Sequence, residues 1–340
     1  MKKPLVSIVI PCYNEQEMIP IINEELNRVA QKLETYEFSY TYVDDGSADA
    51  TLLRIKEQAM ADPKVHYISF SRNFGKEAAI YAGLKLAGGD YTVLMDADLQ
   101  DPPSLLPDML SAVAAGECDC AAARRVNRKG EPPIRSFCAG QFYKWMRRLT
   151  GIEVRDGARD YRVMNRIYRE GLLSMGEYNR FSKGMFGWVG YRTKWFEYEN
   201  VERAAGETKW SFWKLVRYSL DGIMNFSSIP LTISSYLGLF LTVFSFAAIL
   251  FVVVRKIVFG DPVSGWPSLV CIITFIGGIQ LFCMGIMGQY LARTYMEVKK
   301  RPLYLVREEN LISDGLCDGA GEAYIENNRA TTGKVRNGTE

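Results

Sequence analysis

The stretch Tyr91-Thr92-Val93-Leu94-Met95-Asp96-Ala97-Asp98-Leu99-Gln100-Asp101 decides the fold. A short apolar run that breaks off into carboxylates reads as a buried strand leaving a sheet edge, where its next residues are offered to a ligand. Three other runs have the same form. Val6–Ile10, Phe38–Val43 and Val65–Phe70 read as strands, separated by helix-like spacing over Met18–Leu33, Ala50–Met60 and Lys76–Ala87. This alternation predicts an α/β domain, a mostly parallel sheet with helices on its faces.

The residues just after the four strands are Pro11-Cys12-Tyr13-Asn14-Glu15, Asp44-Asp45-Gly46-Ser47, Ser71-Arg72-Asn73-Phe74-Gly75-Lys76 and Asp96-Ala97-Asp98. In a parallel sheet they converge on one edge. Neither G-x-G-x-x-G nor G-x-x-x-x-G-K occurs, which sets aside dinucleotide and P-loop sites. A diphosphate is then expected to be held through Mg²⁺ or Mn²⁺, which prefer carboxylate and amide oxygens. Asp96 and Asp98, two apart at a strand end, direct their carboxylates to one side, and Gln100 adds a neutral oxygen. Asp44-Asp45-Gly46-Ser47 reads either as a turn with a helix cap or as a site in which Asp44 meets a base or ribose. Pro11 reads equally as a strand stop.

Formal net charge is +2, so no overall basic field argues for nucleic acid. The bases are nonetheless concentrated: Arg124, Arg125, Arg128, Lys129, Arg135, Lys144, Arg147 and Arg148 share one window, either a solvated face or a surface for anionic lipid or phosphate. Seven cysteines are scattered, which fits reduced thiols better than a disulfide framework. The single histidine, His66, sits in an alternating apolar run and reads as a strand residue, so Cys/His zinc sites are excluded.

Two uncharged runs, Leu231–Val254 and Val263–Leu291, are each long enough for a bilayer core of about 30 Å. Separated by Gly260-Asp261-Pro262, they predict a transmembrane hairpin, with spans at 231–254 and 266–291 and no signal peptide before them. Arg255 and Lys256 lie between the runs, whereas Lys209, Lys214 and Arg217 precede them and Arg293, Lys299, Lys300, Arg301 and Arg307 come after, so both chain ends are expected on the cytoplasmic side. The predicted layout is a catalytic domain over 1–208 with an interfacial helix at 137–150, an amphipathic juxtamembrane helix at 209–229, the hairpin over 230–292, and a cytoplasmic tail over 293–340 that is disordered from about 314. Gly277, Gly278, Gly285 and Gly288 would permit close helix approach, either within the hairpin or in a homo-oligomer.

These motifs, with Glu77, Pro102-Pro103 and Asp160-Tyr161-Arg162 added, resemble family 2 glycosyltransferases of the polyisoprenyl-phosphate type, a group that includes dolichol-phosphate mannose synthases and bactoprenol glucosyltransferases. The resemblance covers roughly residues 4 to 305 and implies a GT-A, Rossmann-like fold. It implies Pro11, Tyr13, Glu15, Asp44, Asp45, Lys76, Asp96 and Lys209 around the nucleotide sugar, and Asp96, Asp98 and Gln100 around Mg²⁺ or Mn²⁺. Arg124 and Arg135 match positions that meet the lipid phosphate. Asp160, Asp98 and Arg203 match catalytic positions, and Arg203 shares with Gly206–Trp210 a loop that closes over the diphosphate. The implied partners are a UDP- or GDP-sugar, undecaprenyl phosphate and the bilayer of a bacterial inner membrane, with UDP-glucose as the preferred donor. Two other functions compete. A processive polysaccharide synthase would carry Gln-x-x-Arg-Trp, which Gln141-Phe142-Tyr143-Lys144-Trp145 approaches but does not match. A non-enzymatic lipid-sugar binding or transport module would leave the acidic and basic clusters without chemistry.

Overall fold

The computed structural model describes residues 2–126, 148, 150, 151, 155, 157–199, 222, 224–259 and 265–310. Arg135, Arg203, Lys209, the loop Gly206–Trp210, the segment Gln141–Trp145, most of the interfacial and juxtamembrane segments, and the tail from residue 314 lie outside the described residues.

The N-terminal domain opens with three β-strand/α-helix pairs: β1 (Leu5–Cys12), α1 (Met18–Ala30), β2 (Glu37–Asp44), α2 (Thr51–Ala61), β3 (Val65–Phe70) and α3 (Lys76–Leu86). β4 (Tyr91–Leu94), α4 (Leu106–Ala114), β5 (Cys120–Arg125), β6 (Ala158–Asn165), α5 (Arg166–Ser174), α6 (Ser182–Trp188) and β7 (Thr193–Tyr198) complete it. The strands form one sheet in the order β7-β5-β6-β4-β1-β2-β3, extended at the β3 edge by a further strand. β1, β2, β3 and β4 are mutually parallel, whereas β6 runs antiparallel to both β4 and β5. From β1 the chain winds outward through β2 to β3 and then returns to place β4 on the other side of β1, a switch point whose carboxyl edge is the expected ligand crevice.

Burial explains each element. α1 turns Met18, Ile19, Ile22, Leu26 and Val29 inward at helical spacing against fully buried residues of β1 and β2. α3 crosses the other face of the sheet at very short range. A Cβ on Gly83 would lie 2.1 Å from Val9 Cγ1, so the residue at that crossing has to be glycine.

Two long helices come next, α7 (Ile229–Phe259) and α8 (Trp266–Lys299). Both run beyond the spans expected from the uncharged runs. Arg255 and Lys256, expected in the connecting loop, continue α7, because Lys and Arg are good helix formers and do not end one. Windows of each, Ile229–Ala248 and Phe275–Lys299, are long and apolar enough to cross a membrane.

The region beyond the hairpin departs most from expectation. Residues 293–310 are not a tail: α8 ends at Lys300 in a left-handed turn (φ 46°), and β8 (Val306–Glu309) pairs antiparallel with β3 as the outer strand of the sheet. Tyr304 stacks on Phe70 with ring centroids 4.8 Å apart, and Asn310 bonds Tyr67 and Val65. The chain therefore returns from its apolar helices to close the sheet edge opposite β7.

Candidate active site

The crevice is built from loops that bond one another before any ligand arrives. Asn14, in the left-handed region at φ 53°, accepts from the Ala48 N–H, and its own N–H donates to Ser47 Oγ. The Glu15 N–H donates to Thr51 Oγ1. Asp44 is 1% exposed; its carboxylate accepts from the Ser47 N–H and from Ser69 Oγ at 2.6 Å, so it braces the edge from within. Asp45, 3% exposed, accepts from the N–H groups of Phe74 and Gly75. Burial raises its carboxyl to about 6 despite those two donors. Gly46, at φ 64°, lies so close to the Arg72 backbone that a Cβ would sit 2.4 Å from its carbonyl carbon. The Asp44–Ser47 turn thus clamps the 71–75 loop, and that clamp fixes where α3 begins.

The first residue of α3 is Lys76. Its Nζ lies 2.7 Å from Asp96 and 2.5 Å from Asp160. The sheet brings the two acids together. β4 and β6 pair as far as Leu94 opposite Arg162, so the two segments leave this ladder with Asp96 and Asp160 each two residues beyond that last pair, where both reach Lys76. Burial alone would push the Asp160 carboxyl up, but Lys76, Lys183 and Arg162 hold it well below the usual carboxylate range. Lys76 is held protonated in the same way, Asp160 and Asp96 outweighing the desolvation that favours its neutral form. Asp160 Oδ1 is buried with no hydrogen-bond partner. Below it Arg162, 3% exposed, packs 3.9 Å from the Phe186 ring centroid. Glu77 accepts from the N–H and hydroxyl of Ser182, tying α3 to the start of α6.

The acidic run itself divides. Just past the end of β4, Met95 and Ala97 are buried while Asp96 and Asp98 remain partly accessible, and the chain then turns at Leu99 (φ 51°). Beyond that turn Gln100 and Asp101 bond inward. Arg159 donates through Nε to Asp101 (2.8 Å) and through Nη2 to Gln100 Oε1 (3.1 Å), and the Tyr198 hydroxyl donates to the same Asp101 oxygen. Asp96 and Asp98 are the hard carboxylates that suit a divalent cation; here Asp96 is held by Lys76, Asp98 accepts from the Gln100 N–H, and the Gln100 side-chain oxygen expected beside them is engaged by Arg159. Among the described residues no group of three or more His, Cys, Asp or Glu is placed to hold a metal ion.

Of the other expected residues, Pro11 does not stop β1 but lies within it opposite Val43, Tyr13 is 40% exposed on the crevice rim, and Glu15 starts the turn into α1, its carbonyl accepting from Met18 and Ile19. Arg124 stands apart at the end of β5, paired with Glu197 across the β5–β7 ladder at 2.8 Å. Arg159 is the residue that the motifs did not single out. Its signal is its place in β6, one residue before Asp160 and so on the opposite side of the strand.

Residues 7–173, carrying all four edge loops and Asp160, match the family model for glycosyl transferase family 2. A putative glycosyltransferase, CsbB of Bacillus subtilis, is 41% identical over 92% of this chain and 94% of its own. The chain belongs to glycosyl transferase family 2. This family 2 glycosyltransferase is also 39% identical to the SfII prophage-derived bactoprenol glucosyl transferase of Shigella flexneri, over 90% of this chain and 98% of that protein. The prophage bactoprenol glucosyl transferase homolog of Escherichia coli is 40% identical over 89% and 98%. The sheet of this chain, parallel through β1 to β4 and antiparallel at β6, is GT-A-like. Among solved structures, the mannosyltransferase PcManGT from Pyrobaculum calidifontis in complex with GDP-Man and Mn²⁺ is 15% identical and covers 88% of this chain and 89% of its own, with a TM-score of 0.45.

Proposed function

We propose that this glycosyltransferase moves glucose from UDP-glucose to undecaprenyl phosphate at the cytoplasmic leaflet of a bacterial inner membrane, inverting the anomeric centre in one in-line displacement. The observation that carries this reading is the Lys76 bridge between Asp96 and Asp160, which joins the diphosphate side of the crevice to the acceptor side through one charge. Relatives named bactoprenol glucosyl transferases align over nearly their whole length, through both apolar helices, and support a polyisoprenyl phosphate acceptor and a two-span anchor.

In this reading Tyr13 and Glu15 border the nucleoside, while Asp44 and Asp45 shape its wall from beneath. Asp96 and Asp98 would hold the divalent cation, which supplies positive charge against the departing diphosphate. Lys76 adds a fixed cation on the same side, and Arg203 and Lys209 are assigned to the loop that closes over the donor. Arg124 and Arg135 are assigned to the acceptor phosphate.

The acceptor needs little deprotonation, because a phosphate monoester with a second pKa of about 6 is largely a dianion at neutral pH. Its oxygen attacks the anomeric carbon, the carbon–oxygen bond to the diphosphate breaks, and UDP leaves with the bonding pair. Asp160, held anionic by Lys76, orients the acceptor or stabilises cationic character at the sugar. Full-length protein in proteoliposomes, given labelled UDP-glucose and undecaprenyl phosphate, is expected to form lipid-linked glucose that a chelator abolishes. No transfer from any UDP- or GDP-sugar would contradict the proposal, and retained configuration in the product would contradict the single displacement.

A further inference from the structure

A cavity of about 500 Å³ lies outside the active site, where the end of α8, the far half of α3 and the turn after α5 meet. Lys85, Lys300 and Arg301 line it, with Glu297 as the one acid among the lining residues. Glu297 is already engaged: its carboxylate accepts from the N–H groups of Tyr178 (2.8 Å) and Asn179 (3.4 Å). The carbonyl end of α8 adds a partial negative charge of about half a unit, which three cations outweigh. The remaining wall is aromatic, with Tyr81, Tyr178 and the Phe70-stacked Tyr304, so it suits an amphipathic occupant.

The depth of the cavity narrows that occupant. The uncharged run of α8 ends at Leu291, the membrane-length window continues through Arg293 and Glu297 to Lys299, and the left-handed turn at Lys300 carries the chain on into the cavity wall. Cations and tyrosines at the end of a spanning helix lie at the level of lipid headgroups. Arg301 also brings the planar donor fork that suits phosphate oxygens.

We propose that this cavity binds the phosphate of an anionic phospholipid headgroup, seating α3 and the end of α8 together on the bilayer surface. The site reaches the chemistry through two rigid elements. Lys85 and the catalytic-edge Lys76 stand on the same helix, nine residues and about 13 Å apart. The turn that receives Glu297 continues to Ser182, which holds Glu77 beside Lys76. The assignment of the phosphate to a lipid rests on the membrane placement proposed above, whereas the anion site itself rests only on the cavity.

Full-length protein in nanodiscs, with phosphatidylglycerol mixed into phosphatidylcholine, tests it by native mass spectrometry of retained lipid. Wild type and the charge-conserving variant K85R/K300R/R301K are expected to retain phosphatidylglycerol over phosphatidylcholine, and K85Q/K300Q/R301Q to lose that preference at least about tenfold at an unchanged melting temperature. Equal preference in wild type and the glutamine variant would overturn the site. Protection of wild type by inorganic phosphate, without any retained phosphatidylglycerol, would overturn the lipid as its source. Neither result depends on sugar transfer, so failure of the proposed reaction would be seen separately.

Discussion

Two halves of one short run behave oppositely. Asp96 has a side chain 20% exposed and shares the Lys76 ammonium with Asp160, whereas Asp101 is 1% exposed and locked to Arg159 and Tyr198. The residue type is the same and five positions separate them, yet the first faces the crevice and the second is part of the wall that shapes it. The difference comes from the backbone: past the end of β4 the chain leaves Asp96 and Asp98 partly accessible, and the left-handed turn at Leu99 precedes the buried Asp101. A carboxylate count along the run therefore overstates the ligand set.

Substitutions at the two cations are the sharpest way to break this contrast. Lys76→Met is expected to lower transfer by about 10²- to 10³-fold, the cost of losing one preorganised charge, and to cost less stability than the loss of Arg159, because Asp96 and Asp160 keep 20% and 12% of their side chains exposed. A large loss of stability would move Lys76 to the structural side. Arg159→Met should do the reverse, costing about 3 kcal/mol of stability because it strands the buried Asp101 carboxylate, whose pKa burial already raises against the pull of Arg159. Thermal unfolding of the two variants side by side reads the difference.

A smaller effect tests the clamp behind the crevice. Asp45 has a folded pKa of about 6, above its unfolded value of about 3.9, so the folded state holds the proton more tightly. Its contribution to stability is fully present below about pH 3.9 and lost as pH rises through about 6. Wild type should therefore gain about 1 kcal/mol relative to Asp45→Asn as pH falls from about 7 to about 5, and a relative loss over that window would contradict the burial of this carboxyl. The smallest effect expected is at the far edge. Glu308→Gln removes a partly exposed pair with Lys56 (2.6 Å) and should cost less than about 1 kcal/mol, with transfer unchanged.

How much of the molecule is legible in its sequence depends on how local each feature is. The first four strands are legible because each is a continuous apolar run ending in polar residues, and Val65–Phe70 matches its expected limits. Asp96 and Asp98 are legible for the same reason. β8 is not, since Val306-Arg307-Glu308-Glu309 is mostly charged, as suits an edge strand, and its partner β3 lies some 240 residues earlier. The Arg159–Asp101–Gln100 contact depends on the antiparallel placement of β6, which no single stretch encodes, and it takes up the Gln100 oxygen that spacing alone assigns to the metal.

The central claim is that Lys76, Asp96 and Asp160 form the transfer centre, and Asp160→Asn tests it most directly. Measured as the rate of labelled glucose transfer from UDP-glucose to undecaprenyl phosphate by the full-length protein, this isosteric variant is predicted to fall below about a tenth of wild type at an unchanged melting temperature. Transfer above that level would contradict the account.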